Sequence, residues 1–188
     1  YAQERPQGRK LTSTGAKDLK QGQALIIDHP DVRRMLLLQK VVSEGSLSLV
    51  LLASKYQDFS RTLPDPADRE KYHLLLELLT PVVKTYPSEM GGVAVSNGLQ
   101  VLGGYGFCSE YVLQQYLRDI RIFPIYEGTT GIQSLDLLGR KVTLKGGEAM
   151  KLLAAEMMET IQSASKYEEL RTYAAKLGTK MQLMQKVM

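Results

Sequence analysis

The sequence predicts an all-α protein, a bundle of helices packed side by side. Two observations carry this expectation. Apolar residues recur at alternating spacings of three and four along at least four segments, the periodicity of helices that bury one stripe against near-parallel neighbours. No run of residues reads convincingly as a set of strands. Helices are expected near 30–60, 66–84, 88–102, 110–119, 132–140, 147–163 and 168–187. The 188 residues, 44% hydrophobic and 23% charged, suit a globular fold with an ordinary core. Neither an internal repeat nor a low-complexity segment interrupts the pattern.

Composition narrows the function classes. The formal net charge is +4, but the basic residues are scattered rather than clustered, which argues against a nucleic-acid partner. The single cysteine, Cys108, cannot close an internal disulfide, so a reducing, cytoplasmic compartment is expected. No run meets the length and apolarity of a transmembrane segment, and none has the form of a signal peptide. His29 and His73 have no second His or Cys at metal-ligand spacing, so no metal site is expected. The chain opens on Tyr rather than Met, inside a charged stretch, and is read as a piece of a longer polypeptide.

Residues 1–9 read as the end of a helix broken at Pro6 and Gly8, with Arg5 and Arg9 flanking the break. Residues 11–23 are polar and glycine-bearing, a loop. Pro30 suits the first helical position, Asp31 favours the positive helix end, and His29 is a candidate cap or surface imidazole. In the helix that follows, Met35, Leu38, Val42, Gly45, Leu49, Leu52, Tyr56 and Phe59 form the seam. Gly45 is its one empty position and suggests a close crossing. Each large seam residue contributes about 1.5–3 kcal/mol when buried, so this helix is read as structural. Asp65-Pro66 repeats the start signal, Pro81 is expected to kink or end the next helix, and residues 84–87 to form a turn. The helix over 88–102 is rich in small residues, Gly91, Gly92, Ala94, Ser96 and Gly98, which suit tight helix packing or a cofactor lying against them. A Gly-Gly break over 144–148 precedes two further stripes, Met150, Leu153, Met157 and Ile161, then Leu170, Tyr173, Leu177, Met181, Met184 and Met188. The methionines there are read as adaptable core filling.

The stretch 99–140 organises the chain. Gly103, Gly104 and Gly106 stop a helix and free the backbone for positive φ or the close approach of a ligand. A short helix follows. Residues 120–126 alternate in polarity and carry Pro124, so an extended segment is expected. Then comes Tyr126-Glu127-Gly128-Thr129-Thr130, a carboxylate between an aromatic ring and a glycine, with Thr129 or Thr130 able to cap the next helix. An isolated Glu in a loop is more often a solvated charge or a cap than a base. Its neighbours give this one a place from which to approach a ligand closely.

Taken together, these motifs resemble the C-terminal domain of the flavin-dependent acyl-CoA dehydrogenases. Gln100-x-x-Gly103-Gly104-x-Gly106 leads into Tyr111-x-x-x-x-x-Leu117-Arg118-Asp119 and then to Tyr126-Glu127-Gly128-Thr129, all in the family's order. The resemblance covers residues 1–142, which it makes the family's helical bundle. Residues 143–188 would begin an additional helical extension, as in the longer bacterial forms.

The resemblance implies oxidation of an acyl-CoA thioester to a trans-2-enoyl-CoA, with electrons passed to FAD and on to an electron-transfer flavoprotein. It implies Glu127 as the base, with Tyr126 and Gly128 at the substrate. The cofactor positions it implies are Arg5, Gln7, His29, Gln100, Gly103, Gly104, Thr129 and Gly131. Arg5 would reach the pyrophosphate, and Gln100 to Gly104 the adenine and ribose, of a flavin held by a neighbouring subunit, so a homo-oligomer, dimer or tetramer, is implied. Pro30 stands where the family commonly has Gln, and Gly131 where it has a polar residue. The other class kept in view is a non-catalytic helical module for flavin binding or oligomerisation.

Overall fold

The structure, a computed structural model, describes residues 1–17, 20 and 22–187. Asp18, Leu19 and Gln21 of the expected loop and Met188 of the last stripe lie outside the described residues. The α-helices are α1 (Pro30–Thr62), α2 (Pro66–Leu102), α3 (Leu113–Ile120), α4 (Thr130–Asp136), α5 (Glu148–Ala164) and α6 (Glu168–Val187). Tight 3-10 turns fall at Ile26–Asp28, Gly103–Phe107 and Leu144–Gly147, and a π-helical turn at Leu137–Lys141 extends α4. Among the described residues, β pairing is limited to isolated bridges, Pro6 with Leu25 and Leu11 with Lys17. The expected all-α class is the one found.

The chain divides into two compact units, Tyr1–Leu52 with Val82–Gln133, and Ala53–Pro81 with Ser134–Met188. In the first, Ala2, Ile26, Met35, Val42 and Leu102 are buried. Backbone hydrogen bonds from Gln7 to Ala24 (2.8 Å) and from Ile26 to Arg5 (2.9 Å) fold the N-terminal segment on itself. Packing accounts for two of the small residues of α2, Gly91 and Gly98, whereas a side chain at Gly92 would meet nothing within 4 Å. A side chain at Gly91 would meet Ile120 of α3 at 2.6 Å, and one at Gly98 would meet Leu113 of α3 at 3.0 Å and Gln39 of α1 at 3.2 Å.

The second unit is centred on Tyr56, Leu75, Leu78 and Pro81, all fully buried. Leu74, Leu78 and Ala149 form a cluster against which Leu137, Val142, Leu144, Met150 and Leu153 pack. The expected Gly-Gly break is present: Gly146 and Gly147 take φ of +67° and +84°, and Lys145 joins them at +49°. Lys141 is buried and paired to Glu77. A pairing of this kind is required, because a buried ammonium left alone carries a large desolvation penalty.

Three expectations need correction. First, α2 does not break: it runs 37 residues, about 55 Å by helix geometry, through both Pro81 and Pro87. Each proline removes one hydrogen bond and costs about 3 kcal/mol in an unsupported helix. The burial of Pro81 with Leu74, Leu75, Leu78 and Leu79, and the packing of Gly91 and Gly98 against α3, outweigh that cost. Second, the buried stripe of α1 is Met35, Val42, Ala53 and Tyr56, whereas Gly45 and Leu52 are exposed. A side chain at Gly45 would find only the Tyr86 hydroxyl at 3.8 Å, so no close crossing occurs there. The drift arises because a helix turns 3.6 residues per turn, and a strict seven-residue seam slides off one face over nine turns. Third, α1 is long and apolar enough, by length and composition, to cross a membrane, a test that core helices of water-soluble proteins also pass. Leu37, Val41, Leu47 and Leu51 account for much of its apolar character and are exposed.

Tyr56 provides a test of the second unit. Its hydroxyl donates to the Glu156 carboxylate, and its ring packs on Tyr72 with centroids 5.6 Å apart. Burial first, and then the bond to Glu156, raise its ionisation well above the ordinary tyrosine value. The folded state therefore keeps a proton that the unfolded chain loses above about pH 10, so this contribution to stability is intact below that pH and falls as pH rises through it. Thermal unfolding between about pH 8 and 11 should show a decline in midpoint that is shallower in Tyr56→Phe. At neutral pH the same variant should lose about 1.5–3 kcal/mol, the worth of one hydrogen bond to a charged partner. Identical alkaline slopes in the two proteins would contradict the assignment.

Candidate functional site

Between α3 and α4 the backbone is a succession of turns. The N–H of Phe123 donates to Ile120 (3.2 Å), and those of Ile125 and Tyr126 both donate to Ile122 (3.0 and 3.1 Å). The extended segment expected over 120–126 is thus coiled. Pro124, whose fixed φ also suits turns, is buried, while Ile122, Phe123, Ile125 and Tyr126 are exposed. The alternation of side-chain polarity was not a strand's two faces.

The coil ends at Glu127, whose φ is +52°, and Gly128, at +93°. Left-handed backbone costs a residue with a Cβ about 1–2 kcal/mol, and Glu has no special aptitude for it. At Gly128 the φ of +93° is strained for any residue with a Cβ, and a Cβ would also lie 2.7 Å from the Gln133 amide nitrogen, the movable end of that side chain. That amide instead donates to the Glu127 carbonyl (3.3 Å), fixing the peptide that follows the carboxylate. The Thr129 hydroxyl accepts from the Ile132 N–H (3.4 Å) and its carbonyl from Gln133 (2.9 Å), so Thr129 is the cap of α4. Thr130 turns elsewhere and donates its hydroxyl to the Glu89 carboxylate on α2. Also from α2, the Lys84 ammonium donates to the Phe123 carbonyl (2.6 Å) and lies 5.8 Å from the centre of the Tyr126 ring. The Glu127 side chain itself is exposed.

The glycine-rich turn closes α2. Gly103 has φ of +61°, and the space beyond Gly103 and Gly104 is open, so a side chain would occupy room that now borders solvent. Gly106 is the opposite case: it is buried, and a Cβ would be 2.6 Å from the Leu99 carbonyl oxygen. Gln100, Gly103, Gly106, Phe107, Gln114 and Arg118 line a groove of about 660 Å³. Arg118 is held on its wall by the Gln114 and Gln115 amides (2.9 and 2.8 Å), and Phe107 is 94% exposed.

Of the N-terminal candidates, Arg5 lies beside this turn. The Arg5 guanidinium lies 5.8 Å from the centre of the Tyr105 ring, and Tyr1 meets Tyr105 edge-on at 6.0 Å. The His29 ring donates to the Gln7 carbonyl (2.7 Å). His29 therefore occupies the N-cap position of α1 with its backbone only, its carbonyl accepting from Arg33 (3.1 Å); its ring is not the cap. Arg5 thus borders the glycine turn through Tyr105, and Gln7 and His29 are joined to each other, while Tyr126, Glu127, Gly128, Thr129 and Gly131 form a second group. Gln100 opens on the groove. Lys84, Glu89 and Gln133 were not singled out from the sequence. The expected turn over 84–87 hid Lys84, and no local signal marks Glu89 or Gln133.

A family model described as "Acyl-CoA dehydrogenase, C-terminal domain" matches residues 10–143. The butyryl-CoA dehydrogenase of Syntrophomonas wolfei is 40% identical over 159 residues, covering 85% of this chain and 25% of that protein. The 3-methylmercaptopropionyl-CoA dehydrogenase of Ruegeria pomeroyi is 39% identical over 166 residues, covering 88% of this chain and 27% of that protein. The chain thus spans about a quarter of the length of these curated relatives. A solved structure, Bd2924 in its apo form, is alike in fold, with a TM-score of 0.63 at 22% identity over 88% of this chain and 34% of its own. With the helices, the glycine turn and the Glu127 loop in place and the match running over most of its length, the chain belongs to the acyl-CoA dehydrogenase family and carries the family's all-α C-terminal domain.

Proposed function

We propose that this chain supplies the C-terminal part of an FAD-dependent acyl-CoA dehydrogenase, with Glu127 as the base that takes the α-proton of an acyl-CoA thioester. The observation that carries the reading is the backbone at Glu127: an exposed carboxylate held in a conformation that its own side chain disfavours, with glycine favoured at the next position. Strain of this kind persists where the surroundings over-determine it.

The residues fit a flavin dinucleotide. The open space at Gly103 and Gly104 would admit a ligand against backbone, Gln100 offers amide hydrogen bonds, and Arg5 brings a cation to the same turn. Bound FAD supplies the acceptor for the hydride leaving the substrate Cβ. Glu127 takes the Cα proton, and one C–C single bond becomes a double bond. Tyr126 borders the acyl site, and Gly128 lets the loop come close. Exclusion of water on substrate binding strengthens the carboxylate as a base. An electron-transfer flavoprotein is the expected acceptor of the electrons. The relatives act on a straight-chain and a thioether acyl-CoA by name, so this reading stops at the acyl-CoA class.

Glu127→Gln in the full-length protein should leave flavin content near wild type and cut anaerobic flavin bleaching by acyl-CoA at least ~10²–10⁴-fold, the usual share of general-base catalysis. Arg5→Ala should do the reverse, lowering flavin content while the retained fraction still bleaches. Bleaching of Glu127→Gln at the wild-type rate would move the base elsewhere.

Gly128→Ala should fold but lose most activity. The positive φ costs about 1–2 kcal/mol, and the methyl displaces Gln133 from the Glu127 carbonyl. A variant with wild-type turnover would show that this loop geometry is not required. The exposed apolar residues of α1 support a homo-oligomer, dimer or tetramer, in the full-length protein. Light scattering checks this, and a monodisperse monomer would overturn it.

A further inference from the structure

The loop over 121–129 has little core of its own. Pro124 is its buried residue, and the side chains around it are exposed or half-exposed. What fastens the loop is polar and comes from α2. Lys84 reaches the Phe123 carbonyl at one end (2.6 Å) and covers Tyr126 at 5.8 Å from the ring centre, while Glu89 receives the Thr130 hydroxyl at the other end. Lys84 and Glu89 are five positions apart, about 7.5 Å of rise on one continuous helix, so the two ends of the loop are caught at separate points of a single element. Between those points lies the left-handed pair Glu127 and Gly128. A strained backbone relaxes toward ordinary φ values once one end is released.

We propose that Lys84 and Glu89 are positioning residues, a two-point clamp that holds the Glu127 carboxylate in its reactive geometry. The proposal rests on Glu127 being the base. Both anchors are hydrogen bonds with one charged partner, roughly twice as strong as neutral ones, which suits a site that must stay fixed at the protein surface. Lys84 bonds a backbone carbonyl, so the demand falls on position 84 rather than on the identity of residue 123. An arginine there could donate to the same oxygen; a methionine of similar length could not. Thr130→Val removes the other anchor without altering charge.

The experiment uses the full-length flavoprotein and the variants Lys84→Met, Lys84→Arg, Thr130→Val and Glu127→Gln. Hydrogen–deuterium exchange of peptides within 121–133, without substrate, reads the loop directly. Flavin content and the bleaching rate at saturating levels of whichever straight-chain acyl-CoA bleaches the wild type fastest read the chemistry. Lys84→Met and Thr130→Val should exchange about tenfold faster in the loop and bleach ~10–100-fold more slowly, the penalty of roughly an ångström of misplacement, with flavin content and half-saturating substrate little changed. Lys84→Arg should restore both readouts to within about threefold of wild type. Wild-type exchange and bleaching in Lys84→Met, or losses that merely follow flavin content, would overturn the clamp. Failure of the underlying reading looks different: Glu127→Gln would then bleach normally, while the exchange data would still judge whether Lys84 and Glu89 hold the loop.

Discussion

Two hydrogen bonds are missing from α2, at Pro81 and Pro87, and the site depends on the helix continuing regardless. A helix broken at Pro87 would put Lys84 on one element and Glu89 with the glycine turn on another. Continuity instead gives them one register. Pro81 is tolerated because its ring is part of a packed core, where burial of the neighbouring leucines far exceeds the loss of one backbone bond. Beyond Pro87, the Ser88 hydroxyl donates to the Lys84 carbonyl (2.5 Å), and Gly91 and Gly98 receive α3 closely enough to hold the rest of the helix in line. Local propensity argued for a break, and tertiary packing overruled it.

The sequence carried the fold class and marked the loops that hold the candidate residues, and lost detail wherever one residue's local preference met a distant contact. The seam of α5 was legible because its spacing follows from helix geometry alone, whereas in α6 Leu170, Tyr173 and Met184 are exposed and Ala174 and Met181 are buried. Gly103, Gly106 and Gly128 were legible as special because a missing Cβ leaves few alternatives. Lys84 and Glu89 were not, since what distinguishes them is the carbonyl of residue 123 and the hydroxyl of residue 130, some forty positions away. The same limit applies to 120–126, where alternating polarity satisfies a strand template and a chain of turns equally well. His29 was placed at the correct helix end, but its ring found the Gln7 carbonyl across the N-terminal segment instead of the α1 backbone.

The two groups of candidate residues are built on different physics. Around Gly103 the backbone is bare, Tyr1 meets Tyr105 and Tyr111 edge-on, those two rings tilt against each other, and Arg5 lies against the face of Tyr105. Aromatic faces and a guanidinium are the chemistry that a planar or phosphate-bearing ligand would use under the proposed reading. Around Glu127 no comparable bed of side chains exists. Shape there resides in the backbone, through a capped helix, a left-handed pair and a glutamine amide. One group is suited to holding a ligand, the other to aiming one functional group.

The positive φ at Glu127 also bears on how this domain could evolve or be engineered. Asparagine and glycine occupy left-handed backbone with less penalty than glutamate. Position 127 is therefore one at which selection for stability alone would discard the carboxylate. A library sorted only for thermal resistance would drift toward sequences without this carboxylate, and a stabilised version that keeps it would have to gain its robustness elsewhere.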